Sequence, residues 1–162
     1  MAMTIRLGRV AEREMLEELQ RRASLNNPGD RQALLENPDA IELPVSQIEQ
    51  GFVFVAEDEG SVLGFAAVLE RSDGDTELDA LFVEPEIWNR GVGRRLVEHC
   101  AMFAKSMGAK HLHVVGNPHA EGFYRACGFI VIGIEETRFG PGLLMVKAVQ
   151  GDQEMNQEAV LR

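Results

Sequence analysis

Apolar and polar residues recur with two different periods along this chain, and the changes of period mark its elements. From residue 92 to 107 the positions Val92, Leu96, Cys100, Phe103 and Met107 recur at helical spacing and form one apolar face, with Gly108 where a C-terminal cap is expected. Upstream, Thr76–Val83 reads as a strand that Pro85 stops, because proline has no N–H for a sheet ladder. A hairpin precedes it: Phe52–Ala56 and Val62–Leu69 are strands about a turn at Glu57–Gly60, and Arg71–Asp75 is the next turn. His111–Val115 is a short strand. Asn117 is then a good N-cap and Pro118 a good first helical residue, for a helix that Gly128 ends and on which Ala120, Phe123, Tyr124 and Cys127 share one face. Phe129–Ile134 and Leu143–Val149 form a last hairpin with Gly140-Pro141-Gly142 at its turn.

The N-terminal third is less regular. Thr4–Leu7 reads as a strand and Val10–Ala23 as an amphipathic helix with Leu16, Leu19 and Ala23 in its stripe. Asn26–Asp30 is a loop by composition, Arg31–Glu36 a short helix, and Val45–Glu49 one more turn. The crossing from Thr76–Val83 through the long helix to His111–Val115 implies a parallel pair, and the other neighbours should be antiparallel. The fold class is therefore α/β: a mixed, mostly antiparallel sheet with one parallel pair and helices on both faces. Residues 1–150 form one domain, and residues 151–162 are a polar, aperiodic tail.

Composition changes this picture mainly by exclusion. With 162 residues, 45% hydrophobic and 26% charged, the chain can bury a core without staples. Its longest uncharged apolar run, Ser61–Leu69, is too short to span a bilayer, so no membrane partner is expected. There is no apolar leader after Arg6 and Arg9, and Cys100 and Cys127 make no disulfide framework; a reduced, cytoplasmic setting follows. The formal net charge of −10 argues against non-specific nucleic-acid binding and suits a cationic partner such as an amine.

The candidate chemistry lies where strand becomes helix. The first N–H groups of a helix lack internal partners and the helix dipole favours an anion there; Gly91-Val92-Gly93 lets backbone approach closely, and Arg94 and Arg95 add positive charge. The loop is not a Walker A motif, since no Lys-Ser/Thr follows, and Leu96 replaces the third glycine of a dinucleotide fingerprint. On the strand before it, Glu77, Asp79, Leu81 and Val83 fall on one face at period two. His111 and His113 also share a strand face, but the sequence near them supplies no third ligand at a metal spacing, so no metal is expected.

Two motifs, VEPEIWNRGVGRRL and NPHAEGFYRACGF, together resemble the GNAT superfamily of N-acetyltransferases. The first is similar to that family's acyl-CoA pyrophosphate motif, R/Q-x-x-G-x-G/A, with Trp88 where the family often has Gln or Arg. The second is similar to its N-x-x-A-x-x-F-Y-x-x-x-G-F element. The resemblance covers roughly residues 50–149. It implies a GNAT-like fold in which the parallel pair splays apart and acetyl-CoA is the cosubstrate. Carried over, the backbone of Leu81, Phe82 and Val83 would bind pantetheine, and the amides of Asn89, Arg90, Gly91, Val92, Gly93 and Arg94 would bind pyrophosphate. Asn117 would hydrogen-bond the CoA arm. Tyr124 matches the general acid, Glu77 is the first candidate for the base and Asp79 the second. The implied activity is acetyl transfer to a primary amine of a small molecule or peptide, with no metal; a non-catalytic acyl-CoA-binding module is the alternative. Dimers are common in that family, which leaves a homodimer open.

Overall fold

The computed structural model describes residues 2–150; the polar tail assigned to residues 151–162 lies outside them. Seven strands form one sheet: β1 (Thr4–Leu7), β2 (Val53–Asp58), β3 (Ser61–Glu70), β4 (Thr76–Val83), β5 (His111–Gly116), β6 (Ile130–Thr137) and β7 (Gly140–Ala148). Their spatial order is β1-β2-β3-β4-β5-β7-β6, and β4/β5 is the parallel pair among antiparallel neighbours. The helices are α1 (Arg13–Leu25), α2 (Pro28–Glu36), α3 (Val45–Glu49), α4 (Val92–Ser106) and α5 (Glu121–Ala126). None is long and apolar enough to cross a membrane.

The sheet separates two cores. On one face α4 buries Val92, Leu96, Val97, Cys100 and Ala104 against Phe54, Ala66, Leu78, Leu112 and Val114. On the other face α1 buries Leu16 and Leu19 against Val53, Val55, Phe65 and Ala67. Burial of this kind, at roughly 25 cal/mol per Å² of apolar surface, is what fixes both helices to the sheet.

Three departures from the periodicity reading have local causes. The Asn26–Asp30 loop is half helix: Asn27 caps α2 by accepting from the Gly29 N–H at 3.0 Å, and Pro28 is the first helical residue. The last hairpin turns at Arg138-Phe139, not at Gly140-Pro141-Gly142. There the Thr137 hydroxyl donates to the Gly140 carbonyl at 2.7 Å and accepts from the Phe139 N–H at 3.1 Å. Gly142 instead sits inside β7, where a Cβ would come within 2.6 Å of Val115 Cγ1.

The third departure is in β4. Ala67 of β3 pairs with Ala80, but Val68 pairs with Leu78, so Asp79 is an extra residue bulged out of the ladder. The bulge breaks the period-two reading. Leu81 and Val83 turn to the α4 side, while Ala80 and Phe82 continue the α1 side that Glu77 began.

Candidate active site

β4 and β5 pair over three rungs only, Thr76–Leu112, Glu77–His113 and Leu78–Val114, and then part. A cleft of about 720 Å³ opens in the V between them, lined by Leu78–Val83 of β4 and by Val114–Asn117 at the end of β5. Ladder alternation decides what faces it. The Glu84 N–H donates to Leu63 O at 2.8 Å, so Phe82 directs its main-chain groups to β3, whereas Leu81 and Val83 direct theirs into the gap. Of the three backbones expected to meet pantetheine, two therefore face the open edge, and the third is engaged in the sheet.

At the mouth of the V the chain makes a tight loop. Asn89 and Gly91 both adopt positive φ, 67° and 87°, and Gly91 is the residue from which α4 starts. A side chain at Gly91 would strain this left-handed turn. Asn89, Gly91, Val92, Gly93 and Arg94 line the cleft, while Arg90 lies in the loop outside its lining. The geometry is a helix N-terminus presented by a left-handed glycine, suited to an anion. Trp88, at the unusual position of the motif, braces the loop. Its indole N–H donates to the Val83 carbonyl at 2.8 Å and ties the loop to the end of β4. Arg22 of α1 forms an ion pair with Glu84, fastening α1 to the same loop.

Tyr124 stands deep in the V. Its ring packs edge-on against Phe123 and Phe129, with centroids 5.2 and 5.4 Å away, and the residue lines the cleft. Gly116 leaves room beside the ring: a Cβ there would lie 2.5 Å from Met145 Cε and 3.2 Å from Tyr124 Cε2. Burial pushes the phenol well above its usual range, with Cys127, Asp30 and Cys100 adding to the effect, so it is an O–H donor at neutral pH. Cys127 also lines the cleft with its thiol raised by burial, and Cys100, deeper, is pushed up to about 12.

The two candidate bases part company. Asp79, exposed by the bulge, lines the cleft and accepts from Gln47 Nε2 at 3.3 Å, an amide that also donates to Val68 O at 2.9 Å. Glu77 lies at the closed end of the V, in a smaller concavity with His113 and Glu135, and pairs with Arg71 at 3.3 Å.

Asp30 is a cleft residue that composition concealed, because its Asn-Pro-Gly-Asp context reads as a plain loop. It accepts from Asn117 Nδ2 at 2.8 Å, and Asn117 Oδ1 accepts from the His119 N–H at 2.9 Å. Asn117 is thus held as an N-cap and also bridges β5 to α2. The sequence likewise concealed Asp75, which meets both strand histidines: Oδ2 lies 2.8 Å from His113 Nε2 and 3.3 Å from His111 Nδ1. Burial opposes the charge on Asp75, but the bonds from His113 and from the Lys110 and His111 amides overcome it and bring its carboxyl down to about 2. A third metal-type ligand therefore does join the histidines, contrary to the reading of the sequence around them.

Comparison with known proteins bears on this arrangement. A family model described as "Acetyltransferase (GNAT) family" matches residues 13–129. The chain is 37% identical over 59 residues to the peptidyl-lysine N-acetyltransferase YjaB of Salmonella typhimurium, 36% of this chain and 39% of that protein; the match thus spans about two-fifths of that relative. It is 31% identical over 99 residues to the 5-NmdU N-acetyltransferase of Pseudomonas phage PaMx11, 60% of this chain and 69% of that one. The fold matches the crystal structure of PaiA N-acetyltransferase from Thermoplasma acidophilum in complex with coenzyme A. The TM-score is 0.72 at 19% identity, over 91% of this chain and 99% of that one.

Proposed function

Because the chain belongs to the acetyltransferase (GNAT) family, we propose that it transfers an acetyl group from acetyl-CoA to a primary amine of a small molecule or peptide, by direct attack in a ternary complex. The observation that carries this reading is the V between β4 and β5, with a buried, protonated phenol inside it and a helix N-terminus at its mouth. The residues fit the cosubstrate. Leu81 offers main-chain groups along an open strand edge, Val83 its N–H beside the carbonyl that Trp88 holds, and the start of α4 offers amides with Arg94 beside them. Asn117 stands on the β5 side of the cleft, within reach of the CoA arm once Asp30 releases its amide.

The chemistry follows from which groups share the cleft. An amine near pKa ~10.4 must lose a proton before it attacks the thioester carbonyl. Of the two carboxylates that line the cleft, Asp30 is bonded to the Asn117 amide, and Asp79 takes that proton, through water where the amine is not in direct reach. Attack forms the C–N bond, the C–S bond breaks, and the Tyr124 hydroxyl gives its proton to the departing thiolate. Glu77, in its separate concavity, has no direct part in this reading. The two named relatives act on a peptidyl lysine and on 5-NmdU, which makes both worth including among acceptors.

Calorimetric titration of acetyl-CoA, with ATP and NAD as controls, tests the binding half; one selective site per chain is expected. Thiol release over a panel of amines, including a lysine peptide and 5-NmdU, tests the transfer half. Binding with no thiol release from any amine would replace the enzyme with an acyl-CoA-binding module, and absence of binding would remove both readings.

A further inference from the structure

We propose that Asp75, His111 and His113 form a binding site for a divalent transition-metal ion of the zinc type, outside the acetyl-transfer cleft. The two histidines come from one face of β5, with ring centroids 6.1 Å apart, and the carboxylate comes from the turn that leads into β4. The Asp75, His111 and His113 donor atoms all lie within 4.8 Å of one another, with Asp75 Oδ2 at 2.8 and 3.3 Å from the two imidazole nitrogens. Two ligands about 2.1 Å from a tetrahedral ion stand roughly 3.4 Å apart, so these atoms need only small side-chain rotations to surround one.

The carboxylate is already aimed. Its other oxygen, Oδ1, accepts from the Lys110 and His111 amides at 2.9 and 3.1 Å, which fixes Asp75 and leaves Oδ2 turned to the imidazoles. Bonds of this kind orient a ligand without coordinating the ion. The three side chains are half-buried to half-exposed, so the ion has a route in and water completes its shell. Two imidazoles and one carboxylate select Zn²⁺, Co²⁺ or Ni²⁺ over Mg²⁺ or Ca²⁺, which prefer all-oxygen shells.

The position gives the site a consequence. His113 occupies the middle of the three rungs that join β4 to β5, one rung before they part. An ion held there clamps the start of β4 to β5 at the closed end of the V. Acetyl transfer as proposed above uses no metal, so the two ideas stand or fall separately.

Untagged full-length protein, titrated with Zn²⁺ calorimetrically and with Co²⁺ by visible absorption, tests the site. One ion per chain is expected, with Co²⁺ ligand-field bands that Zn²⁺ abolishes and a Tm that rises with metal concentration. His111→Ala should weaken binding at least ~100-fold, since loss of a mere ligand-orienting partner costs ~10- to 100-fold. Asp73→Asn, which removes the charge paired with Arg71 but keeps the side-chain oxygen that accepts from the Asp75 N–H, should bind as the parent does. His111→Gln keeps the side-chain volume and repeats the test should alanine perturb folding, which circular dichroism reports. No saturable site, or parent-like affinity in both His111 variants, overturns the proposal and leaves the triad as a hydrogen-bonded staple.

Discussion

The two ends of β4 are built from one strand, yet they serve opposite purposes. At its start, Thr76, Glu77 and Leu78 are locked into β5 on one side and β3 on the other, and the polar groups nearby are consumed pairwise: Glu77 by Arg71, Asp75 by two histidines and two amides. At its end, Leu81 and Val83 keep β3 but lose β5, and their backbone faces a cleft. Asp79 is the joint between the two regimes. Its bulge re-aims everything after it, which is how one strand carries a closed structural end and an open chemical end. Two carboxylates two residues apart thereby come to lie in different concavities, and comparison of their variants is the most direct test of the different roles proposed for them.

The largest effect should come from the open end. Tyr124→Phe removes the proposed proton donor but leaves the ring packing against Phe123 and Phe129, so turnover should fall about 10²- to 10⁴-fold while calorimetric affinity for acetyl-CoA stays near the parent's. The same variant has a signature in stability. A phenol whose folded-state value is raised binds a proton that the unfolded chain releases above about pH 10, so the folded state loses stability as pH rises past that point. Tyr124→Phe should reduce this alkaline loss in denaturant titrations at pH 9 and pH 11. Part should survive, because the Cys100 thiol is pushed up as well. Identical alkaline slopes in parent and variant would place the phenol in water.

Asp79→Asn comes next. It keeps the bulge and a partner for Gln47 but removes the charge, so turnover with an amine should drop about 10²-fold at neutral pH. The drop should narrow as pH rises and more acceptor is already neutral. A rate loss independent of pH would assign Asp79 to holding Gln47 and not to proton transfer. Trp88→Phe has a smaller effect, on binding. It leaves the Val83 carbonyl without the indole N–H, loosening the loop that presents α4, and should raise the acetyl-CoA Kd about 5- to 10-fold, the equivalent of one hydrogen bond of ~1 kcal/mol.

Period and punctuation carried much of this architecture into the sequence. The α4 stripe is unbroken, Gly91 and Gly108 bound the helix, and one long crossover demands a parallel pair; the resemblance of the two motifs to one family then set the glycine loop and the Tyr124 helix in one site. What stayed hidden depends on partners distant in sequence. The bulge at Asp79 is a slip relative to β3, invisible in the alternation of β4 itself, and it moved Leu81 and Val83 to the face opposite the one their spacing suggested. Asp75 reaches the histidines because parallel pairing returns β5 to the turn before β4. Asp30 reaches Asn117 because α2 packs against the turn that follows β5.

Glu77→Gln should do least, and for that reason it sharpens the contrast most. The glutamate is in the paired half of β4, its side chain facing a concavity separate from the cleft, and its partner Arg71 is also bonded to Asp73. Removing one member of a partly exposed pair costs at most about 1 kcal/mol of stability, and here Asp73 retains the guanidinium. Turnover, its pH dependence and acetyl-CoA affinity should all match the parent, while the denaturant midpoint shifts slightly. If instead Glu77→Gln lowers turnover as Asp79→Asn does, proton transfer must reach across the sheet from the closed end. The bulge would then be a spacer between two cooperating carboxylates and not a divider of their roles.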